Sequence, residues 1–596
     1  MGDKVPKKFC RFRIAMTVVI ALALCLISAF AAATTVANPL CPDNTVLFNP
    51  GQGQDIVVPP EFTVSVFAQG LNFPTGIAFL KRGGGSGFEV YVIESGHGLP
   101  SPCNDQSQFG SGDFDPNNPF TPDILVFNQN GTLLRKIAKP TANDGLQPEG
   151  PSIDLAFEHD LQGGRLFVTD SNQATHAHNG QNNSSRIVVV DPVAGHVTPF
   201  ITQLPTGDHP SEQLAIKDGW IYWSQGSTTN SGVVGLDNGG GANQADIPCQ
   251  DIVLSQNVFD SGGGVKTSGY SPFGTARPGA TVHAYEGASH HGVCDGSILR
   301  AKLNDPLNTI EPYSWGYRNG YAIRFAPEDH ALKGEMIVGE DGPDERGARP
   351  SNGAPDNIHL ARQNPDGSPD YHGWPDRYGF LSSNQAVFNP VGGPADDLCV
   401  FDPTNPPSKC TPASLAQILT EDVPIRDVLA FPPQPITSPL AIEAADSSFT
   451  AFEFVPNSFA RGPLRSGAAL YVLEGDFGFS KANATSPAPE VGHEIKLINF
   501  SRPGEPLSLQ IQRFAHNTTF DQAFPDGLRG FNRPTDLRMG PDGCAWVTDY
   551  GAVRDLGQSD PATRFVGPPS NGPLLQIPGT GVIWKICPKA GVGGQN

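Results

Sequence analysis

The fold is constrained most by a short unit that recurs six times along the chain. Each copy has a turn, a strand, a Gly- or Asp-rich hairpin, and a second strand that ends in polar residues. The copies cover residues 72–96, 152–170, 212–224, 321–340, 451–474 and 534–549. One such hairpin cannot bury a core alone, but copies stacked around an axis can, and a ring protects their edges. The sequence therefore predicts an all-β, six-bladed β-propeller with long loop insertions.

Two long insertions interrupt the spacing of the copies, at residues 226–309 and 376–448. Insertions in a propeller lie on its faces, where binding sites are built. Residues 412–420 within the second insertion are predicted to form a short helix capped by Thr411. The alternative architecture is two stacked β-sandwich domains. The same hairpin running from end to end without a linker favours one ring.

The N-terminus has the features of an export signal. Basic residues from Lys4 to Arg13 precede an apolar run from Ile14 to Ala33, and small residues offer cleavage after Ala33 or Ala37. We predict a signal peptide over residues 1–37, a lead-in over 38–61 and the propeller over 62–590. The apolar run could instead remain as an uncleaved anchor. Both interpretations predict export to the periplasm or the extracellular space, and no membrane contact is expected after cleavage.

Cysteine usage and charge agree with export. Eight cysteines follow the leader, an even number that predicts disulfides in an exported chain. Pairing between sequence neighbours is expected, most firmly for Cys399–Cys410 and Cys544–Cys587. The net charge of −21 argues against a nucleic-acid partner, since a duplex is bound by a clustered basic face.

Two kinds of side chain could carry chemistry at the loops that lead into the copies. His209 precedes the third copy, and an imidazole that titrates near neutral pH can act as a general base. Arg318 and Arg533 precede the fourth and sixth copies, so in a ring both would point into one cavity, where guanidinium groups bind carboxylates. A hydrogen-bonded loop histidine and surface arginines are the alternative interpretations.

A third candidate is the turn Gly342-Pro343 after the fourth copy, which acidic residues flank on both sides. Carboxylate and backbone carbonyl oxygens are the ligands that Ca²⁺ takes in flexible shells. The spacing differs from an EF-hand, so a solvated acidic loop is an equal alternative.

These motifs together resemble the soluble quinoprotein glucose dehydrogenase and sorbosone dehydrogenase family, over roughly residues 62–587. The most specific stretches are Trp315-Gly-Tyr-Arg318-Asn319, Gly339-Glu-Asp-Gly342-Pro343 and Gly373-Trp374-Pro375. The stretches Gly207-Asp208-His209 and Asn532-Arg533-Pro534 are also similar. The resemblance implies a six-bladed propeller that holds pyrroloquinoline quinone (PQQ) and Ca²⁺ on one face.

The resemblance also implies roles for individual residues. His209 would be the general base that takes a proton from a sugar hydroxyl or hydrate. Arg318 would bind the cofactor and polarise its reactive carbonyl region, and Asn319, Arg533 and Glu149 would also bind the cofactor. The carbonyls of Gly342 and Pro343 would hold Ca²⁺. The expected reaction is oxidation of a sugar or sugar aldehyde, with electrons passed to an external acceptor.

Three positions depart from the family pattern. Ser227 stands where the family has an acid that supports the histidine, Glu149 stands at a glutamine position, and Glu474 stands near a lysine position. These departures keep a second hypothesis open, a catalytically silent propeller that binds a carbohydrate or protein partner. A lactonase on the same fold is a third, and it would need a central cage of carboxylates and Asn around one metal.

Overall fold

Six β-sheets of four or five strands form the body of the fold in a computed structural model of the 596 residues, and their strands pair antiparallel except for Glu311–Trp315 with Asp370–Tyr371, which is parallel. The structure describes residues 2, 33–81, 87–99, 101–105, 109–172, 184–235, 245–261, 264–344, 348–349, 351–352, 354–380, 386–387, 426–477, 491–555 and 574–590. Most of the predicted leader, the predicted helix at 412–420 and the predicted Cys399–Cys410 disulfide lie outside these residues.

Each sheet is one blade, and its first two strands are the two strands of one sequence copy. From the innermost strand outward, the blades are Pro74–Lys81, Phe88–Glu94, Asp123–Asn128 and Leu133–Ile137; Ser152–His159, Gly163–Asn172, Ser184–Val190 and Val197–Leu204; Ser211–Lys217, Trp220–Gln225, Ser297–Lys302, Glu311–Trp315 and Asp370–Tyr371; Asn319–Phe325, Met336–Asp341, Pro355–Ala361 and Ala441–Ala445; Phe449–Phe454, Ala469–Leu473, Glu494–Phe500, Leu509–Asn517 and Ile56–Val57; Pro534–Met539, Ala545–Asp549, Gly581–Pro588 and Phe62–Leu71.

Smaller elements decorate this ring. The two-stranded sheets pair Thr34–Ala37 with Thr45–Phe48, Ile252–Val253 with Thr281–Val282, Phe259–Asp260 with Lys266–Thr267, Ser351–Asn352 with Ala386–Val387, and Val553–Asp555 with Leu574–Gln576. Within the described ranges the helical elements are two 3₁₀ turns, Pro102–Asn104 and Gly112–Phe114. No helix there is long and apolar enough to cross a membrane.

The ring closes because the first long strand of the chain completes the last blade. Phe62–Leu71 pairs antiparallel with Gly581–Pro588 as the outermost strand of blade 6. The innermost strands contact one another in chain order, and the innermost strand of blade 6 contacts that of blade 1. The prediction of a six-bladed propeller is thereby confirmed, and the alternative of two sandwiches is wrong.

The core lies between the blades. Every residue of the second strands Phe88–Glu94 and Ala469–Leu473 is buried, because a neighbouring blade packs on each face of the strand. Large aromatic side chains such as Trp223, Trp546 and Trp584 fill the wedge-shaped spaces between sheets. Three disulfides, Cys41–Cys103, Cys249–Cys294 and Cys544–Cys587, join sequence neighbours as predicted.

A buried polar network crosses the central channel and links the innermost strands of three blades. Arg538 contacts Asp154 at 3.2 Å and Asp536 at 3.0 Å, and Gln213 donates to Asp536 at 3.3 Å. Burial raises the pKa of Asp154 to about 6. The network lies on the innermost strands into which the loops with the candidate residues lead.

Candidate active site

The candidate residues lie on one face of the ring, which we call the site face. The first two strands of a blade are antiparallel, so the start of the first and the end of the second lie at the same edge. His209, Arg318 and Arg533 each lie in a loop that leads into an innermost strand, and Gly342 directly follows a second strand. Blades 3, 4 and 6 thus contribute to one surface.

Asp208 contacts both His209, the predicted general base, and Arg318, a predicted cofactor ligand. Its Oδ2 atom lies 3.2 Å from His209 Nδ1 and 3.1 Å from Arg318 Nη2. Arg318 is 4 % exposed, whereas the His209 side chain keeps 18 % of its surface. A carboxylate at Nδ1 orients the imidazole ring and stabilises its imidazolium form.

The loop after the second strand of blade 3 holds this pair in place. His209 N–H donates to the Ser227 carbonyl at 3.0 Å, and Asp208 N–H donates to the Thr228 carbonyl at 2.9 Å. Ser227 N–H in turn donates to the Arg318 carbonyl at 2.9 Å. Ser227, which replaces an acid of the family pattern, therefore supports the histidine through its backbone, and Asp208 supplies the carboxylate.

Two buried aspartates fix that loop. Asp295 accepts from the Thr228 hydroxyl at 2.6 Å, and Asp246 accepts from the Thr229 hydroxyl at 2.5 Å. Burial raises the pKa of both carboxyls, to about 7 for Asp246. Sequence reasoning assigned neither residue a role, because both lie in the long insertion at residues 226–309, far from their threonine partners in the chain.

The Gly342-Pro343 turn wraps around Arg318. Arg318 Nη1 donates to the Gly342 carbonyl at 2.7 Å, and Arg318 Nη2 contacts Asp344 at 2.6 Å. Gly342 N–H donates to Asp356 at 2.8 Å, which fixes the turn. The Gly342 carbonyl, predicted as a Ca²⁺ ligand, therefore already uses one lone pair within the protein.

Asn319 binds the acid that precedes this turn. Its Nδ2 atom donates to Asp341 Oδ2 at 3.2 Å, and its Oδ1 atom is buried without a hydrogen-bond partner among the described residues. Burial and the nearby Asp356 carboxyl raise the pKa of Asp341 well above its usual value. Burial also raises the pKa of Asp356, to about 7.

Arg533 differs from Arg318 because it pairs with no carboxylate in the described part of the chain. It donates to the Gly475 carbonyl at 2.7 Å and the Asp476 carbonyl at 2.8 Å, and it lies 4.0 Å from the centre of the Phe477 ring. The side chain is 2 % exposed, and Nε has no partner there. A buried cation held only by carbonyls and a ring can accept an anionic ligand.

Two acids on this side of the ring, Glu474 and Glu212, have raised pKa values. Burial raises the pKa of Glu474 to about 7, although Arg533 opposes this shift. Burial and the charge of Glu474 raise the pKa of Glu212, which is 2 % exposed, well above its usual value. Glu149 lies half-buried in the loop before blade 2, on the same face.

Among the residues that the structure describes, no group of three or more His, Cys, Asp or Glu side chains is arranged to hold a metal ion. The predicted Ca²⁺ site depends on backbone carbonyls and stays a prediction.

Fold and site together define a six-bladed propeller with His209, Asp208 and Arg318 in contact on one face, and with a second arginine there, Arg533, that has no carboxylate partner among the described residues. No protein-family model and no curated protein matches the chain. Solved structures that are similar include the holo PQQ domain of pyranose dehydrogenase from Coprinopsis cinerea, with a TM-score of 0.46 and 12% identity over 90% of this chain and 99% of that one. A glucose dehydrogenase has a TM-score of 0.43 and 13% identity, covering 89% and 100%. A calcium structure of a carbohydrate-active enzyme of family AA12 from Trichoderma reesei has a TM-score of 0.45 and 13% identity, over 91% of this chain and 99% of that one.

Proposed function

We propose that the protein is a PQQ-dependent dehydrogenase that oxidises a sugar or sugar aldehyde. One observation carries the proposal: each of Arg318, Asn319 and Arg533 has one buried polar atom without a partner among the described residues. A buried donor or acceptor left unsatisfied costs about 1–3 kcal/mol. Three such atoms on the three residues that the resemblance assigns to the cofactor support a missing polar ligand.

The charges of the cavity fit a triacid such as PQQ. Arg533 supplies a buried cation that no carboxylate of the described residues neutralises. Burial raises the pKa values of Glu212 and Asp341 well above the usual range and that of Glu474 to about 7, which favours the neutral forms of these acids. The acid at position 474 therefore repels an anionic ligand less below pH 7, where its protonated form predominates.

His209 and its neighbours would perform the proton chemistry. His209 takes the proton of the substrate hydroxyl at the ring nitrogen that does not face Asp208, and Asp208 stabilises the imidazolium that results. Arg318 holds Asp208 in position and presents its Nε–H to the ligand. When bound, PQQ would supply the acceptor for the hydride that leaves the substrate carbon.

The second lone pair of the Gly342 carbonyl, together with the Pro343 carbonyl, would hold Ca²⁺ beside the cofactor. Glu149 would line the cofactor site from the loop before blade 2. An exported enzyme of this kind would pass its electrons to an external acceptor.

The test is a titration of the purified protein with PQQ, with and without Ca²⁺, followed by absorbance. We expect saturable binding that Ca²⁺ strengthens. The substitution Arg533→Met should weaken it about 10- to 100-fold, because a hydrogen bond to a charged group contributes about 1.5–3 kcal/mol. The exposed Arg502→Met is the matched control and should bind as the wild type does.

Absence of binding at tens of micromolar PQQ, or equal binding by Arg533→Met, would refute the proposal. The second candidate is a catalytically silent propeller that binds a neutral carbohydrate. Protonated acids such as Glu212 and Glu474 favour it, since they can donate hydrogen bonds to hydroxyl groups.

A further inference from the structure

Two loops of blade 3 lie directly against each other at the site face. The first leads into the innermost strand, and the second follows the second strand. The backbone N–H groups of Asp208 and His209 in the first loop donate to the carbonyls of Thr228, at 2.9 Å, and Ser227, at 3.0 Å, in the second. A Cβ atom at Gly207 would lie 2.3 Å from the Thr228 carbonyl oxygen, which leaves no room for a side chain there. The position of His209 therefore depends on where the second loop lies.

Two threonines of the second loop are each held at two points by one buried carboxyl group. Thr228 donates its backbone N–H, at 3.1 Å, and its hydroxyl, at 2.6 Å, to Asp295 Oδ2. Thr229 donates its N–H to Asp246 Oδ1 at 2.9 Å and its hydroxyl to Asp246 Oδ2 at 2.5 Å. All four residues are at most 2 % exposed. Because each aspartate fixes both the backbone and the side chain of its threonine, the two acids determine the path of the second loop.

A disulfide joins the two segments of the long insertion that carry these aspartates. Asp246 precedes Cys249 by three residues, and Asp295 directly follows Cys294. Cys249 and Cys294 are bonded to each other. Beside this bond, Ile247 N–H donates to Asp295 Oδ1 at 2.9 Å, and Asp295 N–H donates to the Ile247 carbonyl at 3.1 Å. The disulfide and these two hydrogen bonds thus fix the spacing of the two aspartates.

We propose that the two aspartates and their disulfide form a clamp that positions His209 for proton abstraction. Asp246 and Asp295 are positioning residues, because they act on the histidine through the backbone carbonyls of the second loop. When either aspartate moves, these carbonyls move, and the hydrogen-bonded amide of His209 moves with them. The catalytic consequence of the clamp rests on the proposed function, whereas its effect on the placement of the two loops does not.

The first test measures amide hydrogen exchange by mass spectrometry in the unliganded protein. The variant is Cys249→Ala/Cys294→Ala. The matched control is Cys544→Ala/Cys587→Ala, which removes a disulfide of nearly the same sequence separation, 43 residues instead of 45. We expect the amides of residues 208–209 to exchange about tenfold faster in the first variant and as in the wild type in the control, because only the first variant loosens the second loop.

Two outcomes of this experiment would overturn the proposal whether or not PQQ binds. The first is unchanged exchange of these two amides in the variant without the Cys249–Cys294 disulfide. The second is an equal acceleration in both double variants, since a general loss of stability would then explain the result.

The second test changes one hydroxyl and does not depend on the folding of a disulfide variant. Thr228→Val keeps the size of the side chain but removes the hydroxyl that donates to Asp295. Thr228→Ser keeps that hydroxyl. The amides of residues 208–209 should exchange about 3- to 10-fold faster in the valine variant, which is the range expected for one lost hydrogen bond. Exchange should return toward the wild-type rate in the serine variant, and equal exchange in the two variants would refute the role of Asp295.

The same two variants test the catalytic consequence in the PQQ-loaded enzyme. A displaced base lowers the rate of the chemical step, so kcat for an aldose should fall about tenfold or more in Thr228→Val. Affinity for PQQ should change less, because Arg533 lies in another blade. Thr228→Ser should restore kcat. Wild-type kcat in a valine variant with accelerated exchange would show that the clamp does not position the base. If the wild type binds no PQQ, the proposed function fails, and the exchange experiments alone decide on the clamp.

Discussion

The substitution Gly226→Ala tests whether the placement of His209 limits the chemistry. A Cβ atom at position 226 would lie 2.3 Å from His209 Cβ and 3.0 Å from the Pro210 carbonyl oxygen. Ordinary contacts at such a position begin at 3.4 Å, so either His209 or the 226 backbone must move by about 1 Å. Moving the backbone is costly, because Gly226 N–H donates to Pro210 and the adjacent Ser227 N–H donates to Arg318.

The expected displacement sets how far Gly226→Ala should reduce the rate and the stability. A displacement of about 1 Å at a reacting group can reduce the rate about 10²-fold, which corresponds to about 2.7 kcal/mol of activation free energy. Overpacking of this kind also destabilises the fold by about 1–3 kcal/mol. Arg533 lies in another blade and keeps its contacts, so we expect kcat to fall much more than the affinity for PQQ.

The assay is the steady-state oxidation of an aldose by the PQQ-loaded enzyme with a dye acceptor, together with thermal unfolding and PQQ titration. The matched control is Gly87→Ala, where the nearest atom to the new Cβ is 3.7 Å away and the backbone is not left-handed. A Gly226→Ala enzyme that folds and keeps wild-type kcat would show that His209 is not the base or that its position is not critical.

Three further outcomes are expected. His209→Ala should abolish turnover while PQQ still binds, and retained turnover would remove His209 from the mechanism. Wild-type affinity for PQQ should be greatest below pH 7 and should be lost as pH rises through about 7, where Glu474 ionises. The affinity of Glu474→Gln should depend less on pH. Equal pH dependence of the PQQ affinity in wild type and variant over pH 6–8 would contradict this. Replacing both Cys544 and Cys587 by Ala should lower the free energy of unfolding by up to about 4 kcal/mol, since the disulfide closes a loop of 43 residues. Chemical denaturation under oxidising conditions measures this free energy. An unchanged denaturation midpoint would show that strand pairing alone closes blade 6.

The repeated hairpins could be predicted because each pairs strands close in sequence. The strand pattern at Phe62 was also visible, but its partner, Gly581–Pro588, lies about 520 residues later. No local sequence feature of this strand indicates whether it is the outer strand of blade 6 or of blade 1. Closure of the ring is a long-range property, decided by which free edge remains when the other blades have formed.

The site shows a similar division. The resemblance identified His209 and Arg318, and the structure brings them to the same carboxylate, Asp208. That carboxylate stands directly before His209 in the chain, yet its role depends on a turn that aims both side chains inward.

Arg318 and Arg533, which were both predicted to bind carboxylates of a ligand, have different surroundings. These surroundings decide what each side chain can bind. Arg318 already satisfies Asp208, Asp344 and the Gly342 carbonyl, so little of its charge is left for a ligand. In the proposed function Arg318 therefore orients Asp208 and the ligand, to which it offers Nε. Among the described residues Arg533 has two carbonyl partners and no carboxylate partner, so its charge remains available to an anion. The proposed binding of a triacid beside Glu474 requires that this acid is protonated or that Ca²⁺ compensates its charge. Burial raises the pKa of Glu474 to about 7, which favours the protonated form below neutral pH and reconciles an acid at this position with the proposed cofactor.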